Sequence, residues 1–120
     1  MNPRDLHSLL DMLQSAERVV DYIDGASEND FEKDMQLQDA VIRRLLVIGE
    51  AAGRVSEKGR NALPEIEWTS IRGLRNRLVH EYDNIKLEVV WEIAQTEMTG
   101  LISKIKPIIP PEDQLSVFGK

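Results

Sequence analysis

A chain of 120 residues with a formal net charge of −6 and no cysteine is long enough to bury one core. It has no disulfide framework, thiolate nucleophile or thiolate metal site available to it. The surplus of acid argues against a general nucleic-acid binder, which needs a basic surface to neutralise phosphate. No apolar signal region follows Met1, and no uninterrupted apolar run approaches the ~20 residues of a membrane span. A cytoplasmic protein without membrane association is expected.

The charge is unevenly spread. Between Asp21 and Asp39 stand seven acids and one lysine, whereas Arg43 to Arg77 holds eight basic residues against four glutamates. The acidic run reads either as a solvated face or as a surface that repels RNA or docks a basic partner.

In chain order, Leu6, Leu9, Leu10, Leu13, Ala16, Val20 and Ile23 follow the three-to-four spacing of an amphipathic helix. Asn2 suits its cap and Pro3 its first turn, so a helix from about Pro3 to Asp24 is predicted. Gly25 to Asp30 is turn-rich and breaks it. Met35, Val41, Ile42, Leu45, Leu46, Ile48, Ala52 and Val55 mark a second, longer helix. Its apolar residues cover most of its circumference, which places it centrally or at a subunit interface. Ser56 to Glu67 suits a loop with one short helical turn. A third helix is predicted from Trp68 or Thr69 toward His80, with a break at Tyr82-Asp83-Asn84. Leu87, Val90, Trp91, Ala94, Met98, Leu101, Ile102 and Ile105 define a fourth. The expected fold is all-α, a dimeric four-helix up-and-down bundle over residues 1–106, followed by a proline-containing tail over 107–120.

Chemistry concentrates in Arg72-Gly73-Leu74-Arg75-Asn76-Arg77-Leu78-Val79-His80-Glu81-Tyr82. On a regular helix Arg72, Asn76 and His80 lie four apart on one face. Arg75 and His80 are five apart, about 140° around the axis, and meet only if the helix ends near His80 or if two copies are juxtaposed.

The pattern of an Arg, four residues, a His, any residue and a Tyr, met by Arg75 to Tyr82 with Asn76 after the arginine, resembles that of the HEPN superfamily. In particular it is similar to the HepT-like toxins encoded beside minimal nucleotidyltransferases. Ile48-Gly49-Glu50-Ala51-Ala52, Trp68 to Leu74 and Val89-Val90-Trp91 agree with the flanks of that family. The resemblance implies a metal-independent endoribonuclease with a composite site in a homodimer. Arg75 and His80 would be catalytic and would leave a 2′,3′-cyclic phosphate. Arg72, Asn76 and Arg77 are candidates for holding RNA phosphate. Tyr82 would accept AMP from a nucleotidyltransferase antitoxin, which neutralises the toxin. No cofactor is implied. The competing function is a non-catalytic helical dimer that binds, and is modified by, the nucleotidyltransferase.

Several of these residues carry plainer readings. Arg77 and Glu81, four apart, also suit a surface ion pair. Glu50 suits pairing with a motif arginine better than a catalytic carboxylate, and Gly49 and Gly53 suit close helix approach. His7 lies among solvent-facing residues and has no expected role. Trp68 and Trp91 read as core or helix-boundary aromatics. Two histidines 73 positions apart and scattered carboxylates make no metal-ligand spacing.

Overall fold

The computed structural model describes residues 1–79, 82 and 84–111. Among them are eight α-helices: α1 (Pro3–Ile23), α2 (Glu28–Lys33), α3 (Met35–Arg54), α4 (Glu57–Asn61), α5 (Trp68–Arg72), α6 (Leu74–Leu78), α7 (Leu87–Thr96) and α8 (Met98–Ile105). A 3₁₀ turn, Lys106–Ile108, follows. No strand occurs among the described residues, only an isolated antiparallel bridge between Val79 and Ile85. No helix among them is long and apolar enough to cross a membrane.

The all-α class is as expected, but the chain divides more finely than four rods. Asn2 caps α1 through its side-chain oxygen, which accepts the Asp5 N–H at 2.7 Å, and Pro3 occupies the first turn. Gly25, at φ 80°, ends the chain's first excursion. The segment read only as a break then starts a helix of its own. The Ser27 hydroxyl accepts the Asp30 N–H at 3.0 Å, and the Asp30 carboxylate accepts the Ser27 N–H at 2.9 Å. This reciprocal capping box satisfies two donors that a helix start leaves open. It brings Phe31 into the core, where its ring meets Trp91 at 5.5 Å. Asp34 caps α3 in turn by accepting the Leu37 N–H. Asp30 and Asp34, two of the seven acids in the acidic run, therefore secure helix starts.

The predicted third and fourth helices are each interrupted once, the third at Gly73 and the fourth at Glu97. In both places the backbone ladder continues across the irregularity. Arg77 N–H donates to Gly73 C=O at 3.0 Å, and Leu101 N–H donates to Glu97 C=O at 3.1 Å.

Helix α3 is central. It packs along α1 and also touches α2, α5, α6 and α7, while α8 lies on α1. Val41, Leu45, Ile48 and Ala52 are fully buried, and Ile42, Leu46 and Val47 are half-buried. Neighbours on several sides account for a helix that is apolar around most of its girth, because each large side chain removed from water stabilises by ~1.5–3 kcal/mol. Gly49 permits the approach of α5 and α6: a Cβ there would lie 3.3 Å from Leu74 Cβ and 3.4 Å from Ile71 C=O. The same expectation fails for Gly53, which is exposed and has nothing near its missing Cβ. One residue on from Ala52, it has turned off the buried face.

The core also runs past the expected boundary at residue 107. Ile109 is buried with the rest of the core, behind a 3₁₀ turn that contains Pro107. The remainder of the expected tail, 112–120, lies outside the described residues.

Candidate functional site on helices α5 and α6

Trp68 fixes the entry to α5. Its indole N–H donates to Leu63 C=O at 2.9 Å, and its ring packs half-buried against the core, as a helix-boundary aromatic should. From there Ile71, Leu74 and Leu78, three and four apart, face inward and are buried. Their burial dictates what faces outward. Arg72, Arg75 and Asn76, also three and four apart, are exposed. Among the described residues neither Arg72 nor Arg75 makes an ion pair. The outer face of α5 and α6 is thus a cationic strip without an ion-pair partner among the described residues, with one amide beside it.

Arg77 is different. Two positions from Arg75 it is turned about 200° around the helix, toward the junction of α7 and α8. Its Nη1 donates to Glu97 Oε1 at 3.1 Å and to the Ser70 hydroxyl at 2.7 Å, while its Nη2 donates to Glu97 Oε2. The bonds from Glu97 hold the guanidinium charged against the opposing effect of its partial burial, and Glu92 adds to them. The ion pair weighed for Arg77 is therefore formed with Glu97. The alternative partner, Glu81, lies outside the described residues. Neither Glu97 nor Ser70 stands out in the sequence, since a separation of 20 residues has no helical spacing to announce it.

Glu50 is exposed on α3 and makes no ion pair among the described residues. Its neighbour Gly49 is the residue that faces α5 and α6. His7 is exposed near Asp11, at 3.8 Å. His80 lies outside the described residues. Around it, Lys86 N–H donates to Leu78 C=O at 2.8 Å and Val79 bridges Ile85, so the end of α6 and the approach to α7 are tied together. Tyr82, within this tie, has φ 60° and is 93% exposed. A left-handed backbone is uncommon outside glycine and asparagine, and here it carries an aromatic side chain almost wholly in solvent. Among the described residues no group of three or more His, Asp or Glu side chains is placed to hold a metal ion.

This helical chain, with an exposed arginine strip on α5 and α6, is matched by a family model described as "Ribonuclease HepT-like", over residues 12–108. The chain belongs to this HepT-like ribonuclease family, within the HEPN group. It is 33% identical over 121 aligned positions to the Methanocaldococcus jannaschii protein named "Putative RNase MJ0127", covering 98% of this chain and 100% of that one. It is 33% identical to the Caldanaerobacter subterraneus protein named "Putative RNase TTE0752", covering 84% and 90% of the two chains. It is 28% identical to the Thermococcus cleftensis protein named "Probable ribonuclease HepT", covering 83% and 91%. No solved structure matches the chain at a significant level.

Proposed function

We propose that this protein is an endoribonuclease, active as a homodimer without a metal ion, and the toxin of a toxin–antitoxin pair. The observation that carries the reading is the exposed face of Arg72, Arg75 and Asn76, without counter-charge among the described residues, on a chain of the HepT-like ribonuclease family. In an otherwise acidic protein an exposed cationic strip suits the phosphates of a single RNA segment.

The chemistry follows from the residue types. A histidine near neutral pH takes the proton from a ribose 2′-hydroxyl, and that oxygen attacks the adjacent phosphorus. The P–O5′ bond breaks, the 5′-oxygen leaves with a proton, and a 2′,3′-cyclic phosphate and a 5′-hydroxyl result. His80 is the proposed proton carrier, with the partner subunit's copy dividing the two transfers. Arg75 stabilises the charge on the non-bridging oxygens. Arg72 and Asn76 hold neighbouring phosphates. Arg77 is left out of this set because Glu97 and Ser70 already occupy its guanidinium.

Tyr82, the most exposed of the large apolar and aromatic side chains described, is the proposed acceptor of AMP from a nucleotidyltransferase antitoxin. Its phenol oxygen attacks the α-phosphorus of ATP and pyrophosphate leaves. The new phosphate anion then competes for the arginine strip. The deciding experiment is incubation of purified protein with RNA in the presence of a chelator. Undiminished cleavage ending in cyclic phosphate is expected, and RNA left intact at every protein concentration and divalent-ion level would sink the enzymatic reading. Incubation with a cognate nucleotidyltransferase, ATP and magnesium is expected to add AMP mass at Tyr82; modification at Tyr22 would refute that assignment.

A further inference from the structure

We propose that Arg77 is a positioning residue for the cleavage reaction. Locked to Glu97 and Ser70, it staples the motif helix α6 to the α7–α8 junction and so sets where Arg75 is presented. The inference rests on the ribonuclease reading above.

Three separate segments meet at one guanidinium: Ser70 from α5, Arg77 from α6, and Glu97 from the junction of α7 with α8. A paired fork of guanidinium and carboxylate restrains rotation as well as distance. Both side chains are about a third exposed, 31% and 33%, so the pair is neither freely solvated nor sealed. It sits where restraint is most needed. Gly73 interrupts α5–α6 and Glu97 interrupts α7–α8, and at both the side-chain fork adds a restraint to the backbone bonds that continue through the irregularity. Arg77 bonds across both irregularities at once, its own N–H to Gly73 C=O and its side chain to Glu97.

The same geometry turns Arg77 away from direct RNA contact, because a phosphate would have to displace the carboxylate that holds both Nη1 and Nη2. Arg75 and Arg77 therefore divide two tasks by their half-turn offset on the helix, one facing solvent and one fastening the helix that carries it. The restraint also reaches past α6, since Leu78 C=O accepts the Lys86 N–H and ties the end of α6 to the approach to α7.

The test uses the full-length protein, a short fluorogenic oligoribonucleotide and five variants: Glu97→Gln, Arg77→Gln, Arg77→Lys, Arg77→Glu and the reversed pair Arg77→Glu/Glu97→Arg. Glu97→Gln and Arg77→Gln are each expected to lower kcat by about tenfold or more, the scale set by small misplacements of a catalytic group, with KM changed by less than about twofold because the direct phosphate contacts persist. Arg77→Lys, which keeps the charge and loses the fork, should retain only part of kcat. The reversed pair should recover more activity than Arg77→Glu alone. In parallel, hydrogen exchange at the Val79 and Lys86 amides should quicken in Glu97→Gln while amides of α1 and α3 stay protected. A lower KM in Glu97→Gln with kcat unchanged would overturn the proposal, by showing a freed Arg77 binding RNA, as would a reversed pair as inactive as Arg77→Glu. If the wild-type protein cleaves no RNA, the ribonuclease reading fails by itself. The exchange measurement then decides the staple alone: unchanged exchange at Val79 and Lys86 would refute it.

Discussion

At the junction of α1 and α4, Asp5 is 2% exposed and both of its oxygens are taken: the Ser56 N–H donates to one at 2.9 Å, and the Ser56 hydroxyl and Asn2 amide donate to the other at 2.5 and 3.2 Å. On α5 and α6, Arg72 and Arg75 stand in solvent with no ion pair among the described residues. One region buries a charge and surrounds it with donors. The other exposes two charges and, among the described residues, gives them no counter-charge. A buried carboxylate is tolerated only when its hydrogen bonds are complete, so the first arrangement serves the fold. An exposed cation adds little to stability, so the second is available to a ligand. Substitutions in the two regions should accordingly separate stability from activity.

The largest effect is expected on the motif side. His80→Ala and Arg75→Ala should each reduce cleavage by about 10²–10⁴-fold, the usual worth of a positioned proton carrier or of a charge stabiliser, with thermal midpoints close to wild type. A matching fall in midpoint would erase the contrast between the regions.

On the Asp5 side the order reverses. Asp5→Ala should cost ~1–3 kcal/mol of stability through donors left without an acceptor, with cleavage per folded molecule unchanged. Gly59→Ala should be destabilising too, since its Cβ would fall 2.5 Å from Asp5 Oδ2 and 2.9 Å from Val55 Cγ1. Denaturant titrations of both variants, read beside their specific activities, check this.

A smaller effect should appear with pH. The hydroxyl and the backbone N–H of Ser56 hold the Asp5 carboxyl below its ordinary value of 3.8, with Asn2 adding to them and burial opposing. A lowered folded value means that this contribution is complete above the ordinary value and is lost as pH falls through the folded one. Unfolding free energy should therefore fall more steeply below about pH 4 in the wild type than in Asp5→Asn. Parallel curves would show that Asp5 does not govern acid stability.

Smallest of all, Arg72→Ala should raise KM by a few-fold and flatten the salt dependence of binding by roughly one phosphate contact, with kcat nearly constant. A loss confined to kcat would move Arg72 from the binding strip to the chemistry.

Much of this molecule follows from its sequence alone. The apolar spacing of α1 and α3, the Asn2 cap and the stripe shared by α7 and α8 are local patterns, and a helix periodicity needs only neighbours within four residues to be read. The order of residues from Arg72 to Tyr82 likewise marks where the chemistry is to be sought. Tertiary structure decided what that order does not contain. It joined Ser27 to Asp30 and seated Phe31 against Trp91, so that a supposed break became α2. It turned Gly49 toward Leu74 while leaving Gly53 in solvent. It paired Arg77 with Glu97 and Asp5 with Ser56 across 20 and 51 residues of chain. Such partners are chosen by how helices cross, and the crossing is set by the packing of the whole core, which no window of sequence contains. Three arginines that look alike in the sequence therefore differ in the fold, two left to solvent and one paired with Glu97 and Ser70.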